Sequence, residues 1–166
     1  MAKTQRMGIC LWFDNQAEEA AKYYTGIFKD SRIHGISRYG KEGFEVHKRP
    51  AGSVLTVDFE LNGLRFTALN GGPLFKFNEA ISIEVHCETQ KEIDRYWDKL
   101  SAGGDPKAQA CGWLKDKYGV SWQIIPNMMG KLLKDEKSEK SQRAFAAMMK
   151  MKKLDIAALK KAYDGK

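Results

Sequence analysis

Residues 8–13 (Gly-Ile-Cys-Leu-Trp-Phe) alternate with the two-residue period of a strand, with Ile9, Leu11 and Phe13 on one face and Cys10 and Trp12 on the other. Behind them Ala17, Ala20, Ala21, Tyr24, Ile27 and Phe28 recur at helical spacing, and Asn15-x-x-Glu18 reads as a capping box that opens the helix. Three further strands are predicted near 32–39, 53–61 and 64–70. The last two are split by Asn62-Gly63, a pair that two-residue hairpin turns favour because both positions need positive φ.

Asn70-Gly71-Gly72-Pro73 breaks this pattern, and the pattern then starts again. Residues 80–87 alternate, Ile81, Ile83 and Val85 on one face and Ser82, Glu84 and His86 on the other. Thr89-x-x-Glu92 is a second capping box, followed by Ile93, Trp97 and Leu100 at helical spacing and the pair Gly103-Gly104. Strand-like stretches are predicted near 107–114 and 120–125, joined by a turn around 116–119. The halves overlay at an offset of 72 to 74, which predicts one βαβββ-like unit used twice.

In both leading strands one face is wholly apolar and the other is mixed. Packing the apolar face on the helix turns Cys10, Trp12, Ser82, Glu84 and His86 the other way, toward a ligand cleft or toward solvent. Helical periodicity continues through the tail. Ser138 is placed to cap a helix bearing Ala144, Phe145, Met148 and Met149, and Asp155 to cap one bearing Ile156, Leu159 and Tyr163. Phe145, Met148 and Met149 are expected to supply the tail's packing.

Composition narrows the class. With 166 residues, 43% hydrophobic and 30% charged, the chain has the makeup of a globular protein rather than a disordered one. No apolar run reaches the roughly 20 residues of a membrane helix, and MAKTQRMGIC has no apolar segment behind its basic residues, so neither membrane insertion nor a signal peptide is expected. Cys10, Cys87 and Cys111 are odd in number and lack CxxC spacing, which points to reduced thiols in the cytosol. Of the net charge of +7, residues 131–166 carry +6, from 11 Lys and Arg against 5 Asp and Glu. Apolar residues interrupt those lysines and no aromatic platform accompanies them, so a solvated helical face is expected and nucleic-acid binding is not.

The stretches LWFDNQAEEAAKYYTGIF, FTALNGGPLFKFNEAISIEV, CGWLKDKYGVSWQIIP and MKKLDIAALKKAY resemble the PhnB-like branch of the vicinal-oxygen-chelate (glyoxalase/bleomycin-resistance/dioxygenase) superfamily. The long-tailed members of that branch carry the label 3-demethylubiquinone-9 3-methyltransferase. The resemblance implies an α+β fold: two βαβββ modules forming curved mixed sheets around a cleft, with a C-terminal helical tail, and often a homodimer. The expected limits are 1–130 for the paired modules (about 7–72 and 78–127) and 131–166 for the helical extension. A methyltransferase of the Rossmann type requires a glycine-rich turn after its first strand. No such turn follows Phe13, so the label is read as a name and no cofactor is expected.

The resemblance also implies where a divalent metal would be held. Its four ligand positions fall on Gly8, at or beside Asn70, on Ala80 and on Gln123, the last ending Asp116-Lys117-Tyr118-Gly119-Val120-Ser121-Trp122-Gln123 where other members end in a carboxylate. These side chains hold a catalytic cation poorly, so no metal is expected. Glu84 and His86, two apart on one strand, are the candidate catalytic residues as an acid/base pair, although an ordinary surface or hydrogen-bonded pair is the commoner reading of such spacing. Trp12, Trp113 and Trp122 can line an apolar pocket or pack a core. Asn70 and Gln123 can hydrogen-bond a ligand carbonyl. The candidate ligand set for a small apolar or aromatic molecule is therefore Trp12, Asn70, Glu84, His86, Trp113, Trp122 and Gln123, of which Trp12, Asn70, Glu84, His86 and Gln123 are expected to converge on one cavity. Two alternatives stand beside this reading: a metal-dependent lyase, isomerase or dioxygenase with displaced ligands, and a structural or partner-binding dimer.

Overall fold

The computed structural model describes residues 7–166; the MAKTQR stretch weighed for a leader lies outside the described residues. The chain forms two compact units that meet in sequence at Lys76 and Phe77.

The first unit runs β1 (Ile9–Phe13), α1 (Ala17–Ile27), β2 (Ser31–Arg38), a one-turn helix α2 (Phe44–His47), β3 (Val54–Leu61) and β4 (Leu64–Asn70). Its sheet has the order β1-β4-β3-β2, with β1 parallel to β4 and the other pairs antiparallel. Asn62 and Gly63 both take positive φ, as the β3–β4 turn requires. Register places Leu11 beside Ala68, Val57 beside Ala68, and Phe59 beside Phe66, so these residues share the face that receives α1. Tyr24 stacks on Phe59, which stacks on Phe66, with centroids 6.2 and 5.1 Å apart. Each such side chain, fully buried, contributes about 1.5–3 kcal/mol.

The second unit runs β5 (Ile83–Cys87), α3 (Gln90–Ser101), a 3-10 turn (Pro106–Ala108), β6 (Trp113–Lys115), β7 (Ser121–Pro126), α4 (Met129–Leu132), α5 (Glu139–Met148) and α6 (Ile156–Asp164). Its sheet has the order β5-β7-β6, with β5 parallel to β7. Val85, Cys87, Leu114, Trp122 and Ile124 are buried on one face, and Ile93, Trp97 and Leu100 of α3 are buried with them. The complete Thr89–Glu92 capping box opens α3.

Three expectations are corrected. Ile81 is exposed and β5 begins only at Ile83; shortening a strand does not alter the alternation of what remains, so the faces of β5 stand as read. The 107–114 stretch is mostly not a strand. Cys111 and Gly112 both adopt positive φ, and their amides turn to the tail carbonyls of Met151 and Lys152 at 2.7 and 2.8 Å. This leaves three strands in the second sheet against four in the first. The tail, finally, does not pack through Phe145 and Met149, which are half exposed. Its core is Met129, Leu132, Ala144, Leu154 and Leu159, with Met148 partly buried against them. Asp155 caps α6 as expected, whereas the Ser138 side chain makes no cap bond.

Among the described residues no helix is long and apolar enough to cross a membrane.

Candidate functional site

The expected convergence fails in the first unit, where strand pairing sets Trp12 and Asn70 on opposite faces of the sheet. Trp12 lies beside Leu69, while Asn70 lies beside Phe13 on the α1 side. Asn70 is buried and committed: its Oδ1 accepts the Ala17 amide at 2.8 Å, its Nδ2 donates to the Val54 carbonyl at 3.0 Å, and its own carbonyl accepts the Tyr39 hydroxyl at 2.6 Å. The amide thus replaces the expected Asn15–Glu18 box as the cap of α1, since the Gln16 N-cap contributes no side-chain bond.

Trp12 is engaged as well. Its indole donates to the Gly72 carbonyl at 2.8 Å and meets Phe75 edge-on at 4.9 Å, and a Cβ at Gly71 would overlap its ring. Arg49 extends this network by donating to the carbonyl and carboxylate of Asp14 at 2.7 and 2.8 Å. A cavity of about 220 Å³ beside the α1 start is lined by Asn15, Glu18, Arg49, Pro50, Ser53, Val54 and Asn70.

The second unit assembles more of the candidate set. Glu84 pairs in register with Gln123, and Gln123 with Trp113, so the three form one row across β5, β7 and β6 on the face away from α3. His86 and Lys115 follow by parity on the same face. Gln123 Nε2 donates to Ser82 Oγ at 2.8 Å. Glu84 and His86 touch at 3.2 Å, but both side chains are more than half exposed (52% and 57%), which leaves the pair in a high-dielectric setting. Ile125, also on this face, packs against the tail core, so the tail helices bound the row on one side.

Trp122 does not belong to this face. It is adjacent to Gln123 in one strand and therefore points the other way, fully buried, its indole donating to the Asp116 carboxylate at 2.8 Å. That buried carboxylate also accepts the Tyr118 and Val120 amides at 2.9 and 3.0 Å and so builds the β6–β7 turn.

Beside Trp113 the second unit holds a cavity of about 410 Å³, lined by Glu79, Ala108, Ala110, Cys111, Trp113, Leu114, Lys115 and Ser121. Lys115 forms an ion pair with Glu79, whose carboxyl is held below its ordinary value by that bond. Cys111 meets Met149 of the tail, sulfur to sulfur, at 3.8 Å. Sequence reading missed Lys115 and Glu79 as site residues. Lys115 was within reach as the residue two beyond Trp113 on one strand; Glu79 gives no local signal, because its partner lies across the fold. Burial pushes the Cys87 thiol up to about 12, so it is an inert core group.

The expected metal positions do not fit a cation. Gly8 has no side chain, Asn70 is spent on α1, Leu69 on the opposite face of the sheet is apolar, Ala80 is apolar and precedes β5, and Gln123 offers a neutral amide. No group of three or more His, Cys, Asp or Glu able to hold a metal occurs among the described residues. An adenosyl cofactor fits no better: Gly71 is occupied by the Trp12 ring and Gly104 by the Lys115 carbonyl, so neither glycine pair is open to a ligand.

The model of the family described as 3-demethylubiquinone-9 3-methyltransferase matches residues 5–125. Among solved structures, the PhnB protein from Bacillus cereus that carries the same family description is 37% identical, with a TM-score of 0.63 over 74% of this chain and 99% of that one. Protein PA1353 from Pseudomonas aeruginosa (18% identity, TM-score 0.55, 74% and 98% covered) and the fosfomycin resistance protein FosX from Mesorhizobium loti (14%, 0.54, 81% and 100%) share the fold alone. No curated protein matches the chain.

Proposed function

The chain belongs to the PhnB-like family that bears the 3-demethylubiquinone-9 3-methyltransferase description, within the vicinal-oxygen-chelate superfamily, and from that premise we propose that it is a metal-free protein that binds a small apolar or aromatic molecule. The observation that carries the reading is the cavity of about 410 Å³ beside Trp113. Its volume lies within the usual range for ligand sites, and an aromatic wall with a few polar groups is their usual lining. The row of Glu84, Gln123 and Trp113 continues from it across the sheet, offering hydrogen-bonding groups to a ligand that extends that way.

The metal-dependent enzyme is the weaker reading. It needs Glu84 and His86 to recruit at least one further ligand, and no third acidic, imidazole or thiol group gathers with them among the described residues. The three free cysteines support a reducing, cytosolic home. The end strand β2, eight residues long, supports self-association as a homodimer, since an unpaired edge invites pairing.

Native mass spectrometry of untagged protein, with metal analysis of the same sample, tests the proposal. A small organic molecule retained by the wild type and lost from Trp113→Ala is expected, with zinc, iron, nickel and manganese well below one per chain. Stoichiometric metal removed only by a chelator, and lost from Glu84→Ala or His86→Ala, would establish the enzyme reading instead.

A further inference from the structure

The cavity beside Trp113 combines two features that together select a ligand class. Trp113 and Lys115 are alternate residues of β6 and stand on one face, about 7 Å apart along the strand. Ala108, Ala110, Cys111 and Leu114 line the cavity with them, so most of its wall is apolar, and Ser121 is the remaining polar residue beside Glu79. Lys115 is thus a cation set into an apolar surface, with only 23% of its side chain exposed. A lysine so covered along its stem carries its ammonium at the edge of the apolar wall, where an anion beside it offsets the water it has lost.

Glu79 supplies that anion from the rim of the cavity. Its own side chain is 62% exposed, and it belongs to the cavity's rim, in the turn that precedes β5. An exposed carboxylate gives up an ion pair cheaply, since water solvates it on release. A carboxylate delivered by a ligand whose rings already rest on Trp113 would meet Lys115 with less water around it and a stronger attraction.

We propose that this cavity takes a planar aromatic carboxylate, its ring system against Trp113 and its carboxylate on Lys115 in exchange for Glu79. This rests on the ligand-site reading above and narrows it from an apolar or aromatic molecule to an aromatic acid. Glu79 then acts as a resident competitor that keeps the site closed to weak anions.

Isothermal titration of the full-length protein with 2-naphthoate, its neutral amide 2-naphthamide and the cation 2-naphthylmethylammonium tests this, with each variant's fold checked by thermal unfolding. Naphthoate is expected to bind roughly tenfold or more tighter than naphthamide, as a charge-assisted bond implies, and the cation not at all. Lys115→Met is expected to erase the gap between naphthoate and naphthamide. Glu79→Gln is expected to tighten naphthoate several-fold, and Trp113→Ala to weaken both probes alike. Equal affinity for naphthoate and naphthamide, both lost in Trp113→Ala, would overturn the acid class and leave the cavity standing as an aromatic site. Failure of all three probes to bind, or binding indifferent to Trp113→Ala, would overturn the assignment of this cavity, whereas the ligand-site reading itself falls only if the native protein also retains no organic molecule.

Discussion

The side-chain oxygen of Asn70 accepts the backbone amide of Ala17 at 2.8 Å, across 53 positions of sequence. The last residue of β4 therefore caps α1, and the same side chain holds the start of β3 through the Val54 carbonyl. Three elements of the first unit meet at one buried amide.

Asn70→Ala is accordingly expected to destabilise the protein by about 1–3 kcal/mol, from the lost cap and the stranded Val54 carbonyl. Asn70→Asp keeps the acceptor but loses the donor and should fall between. Asn15→Ala should change little, because its side chain caps nothing in α1. Urea unfolding followed by circular dichroism measures all three, and an Asn70→Ala variant as stable as the wild type would remove Asn70 from this role.

The tail is expected to be part of the second unit's stability rather than an appendage. Leu154 and Leu159 are fully buried, and Gln90 of α3 grips the tail with both ends of its amide, donating to Leu154 O at 3.1 Å and accepting from Ile156 N at 2.9 Å. Leu159→Ala should cost about 2–5 kcal/mol, while Phe145→Ala and Met149→Ala, at half-exposed positions, should cost far less. Thermal unfolding of the three variants ranks them directly. Phe145→Ala as damaging as Leu159→Ala would show that α5 packs its other face.

Stability should fall as the solution becomes strongly alkaline. The Cys87 thiol is raised from 9.0 to about 12 by burial first and by the charge of Glu92 second. Between those values the unfolded chain gives up this proton and the folded chain keeps it, so the unfolded state binds fewer protons and unfolding becomes easier as pH rises. Below pH 9 the contribution is complete. Cys87→Ala, although less stable overall, should show a flatter decline from pH 9 upward in denaturant midpoints. An unchanged slope would mean that the thiol does not ionise in that window.

The local grammar of this fold stands in the sequence. The alternation of Leu11 and Phe13, the Asn62-Gly63 turn, the Thr89–Glu92 box and the Asp155 cap each depend on residues within one or two turns of one another, and each occurs where it was expected. That Glu84 and His86 share a face of β5 was legible for the same reason, since parity along a strand is a local property, whereas their row with Gln123 and Trp113 exists only through strand pairing. Parity also forbids Trp122 and Gln123 from sharing a face, a rule the sequence already contained.

Tertiary structure alone decided the rest. Whether Asn70 faces a ligand or a helix depends on its pairing with Phe13, which brings together chain segments more than fifty positions apart. The 107–114 stretch has strand-like residues, yet Cys111 and Gly112 turn their amides to the tail, and a distant carbonyl outweighs local propensity when it satisfies a backbone donor. The Lys115–Glu79 pair arises the same way, from two charges that no spacing connects. Short-range sterics and periodicity are written residue by residue, whereas long-range partners exist only once loop closure has brought them within a few ångströms.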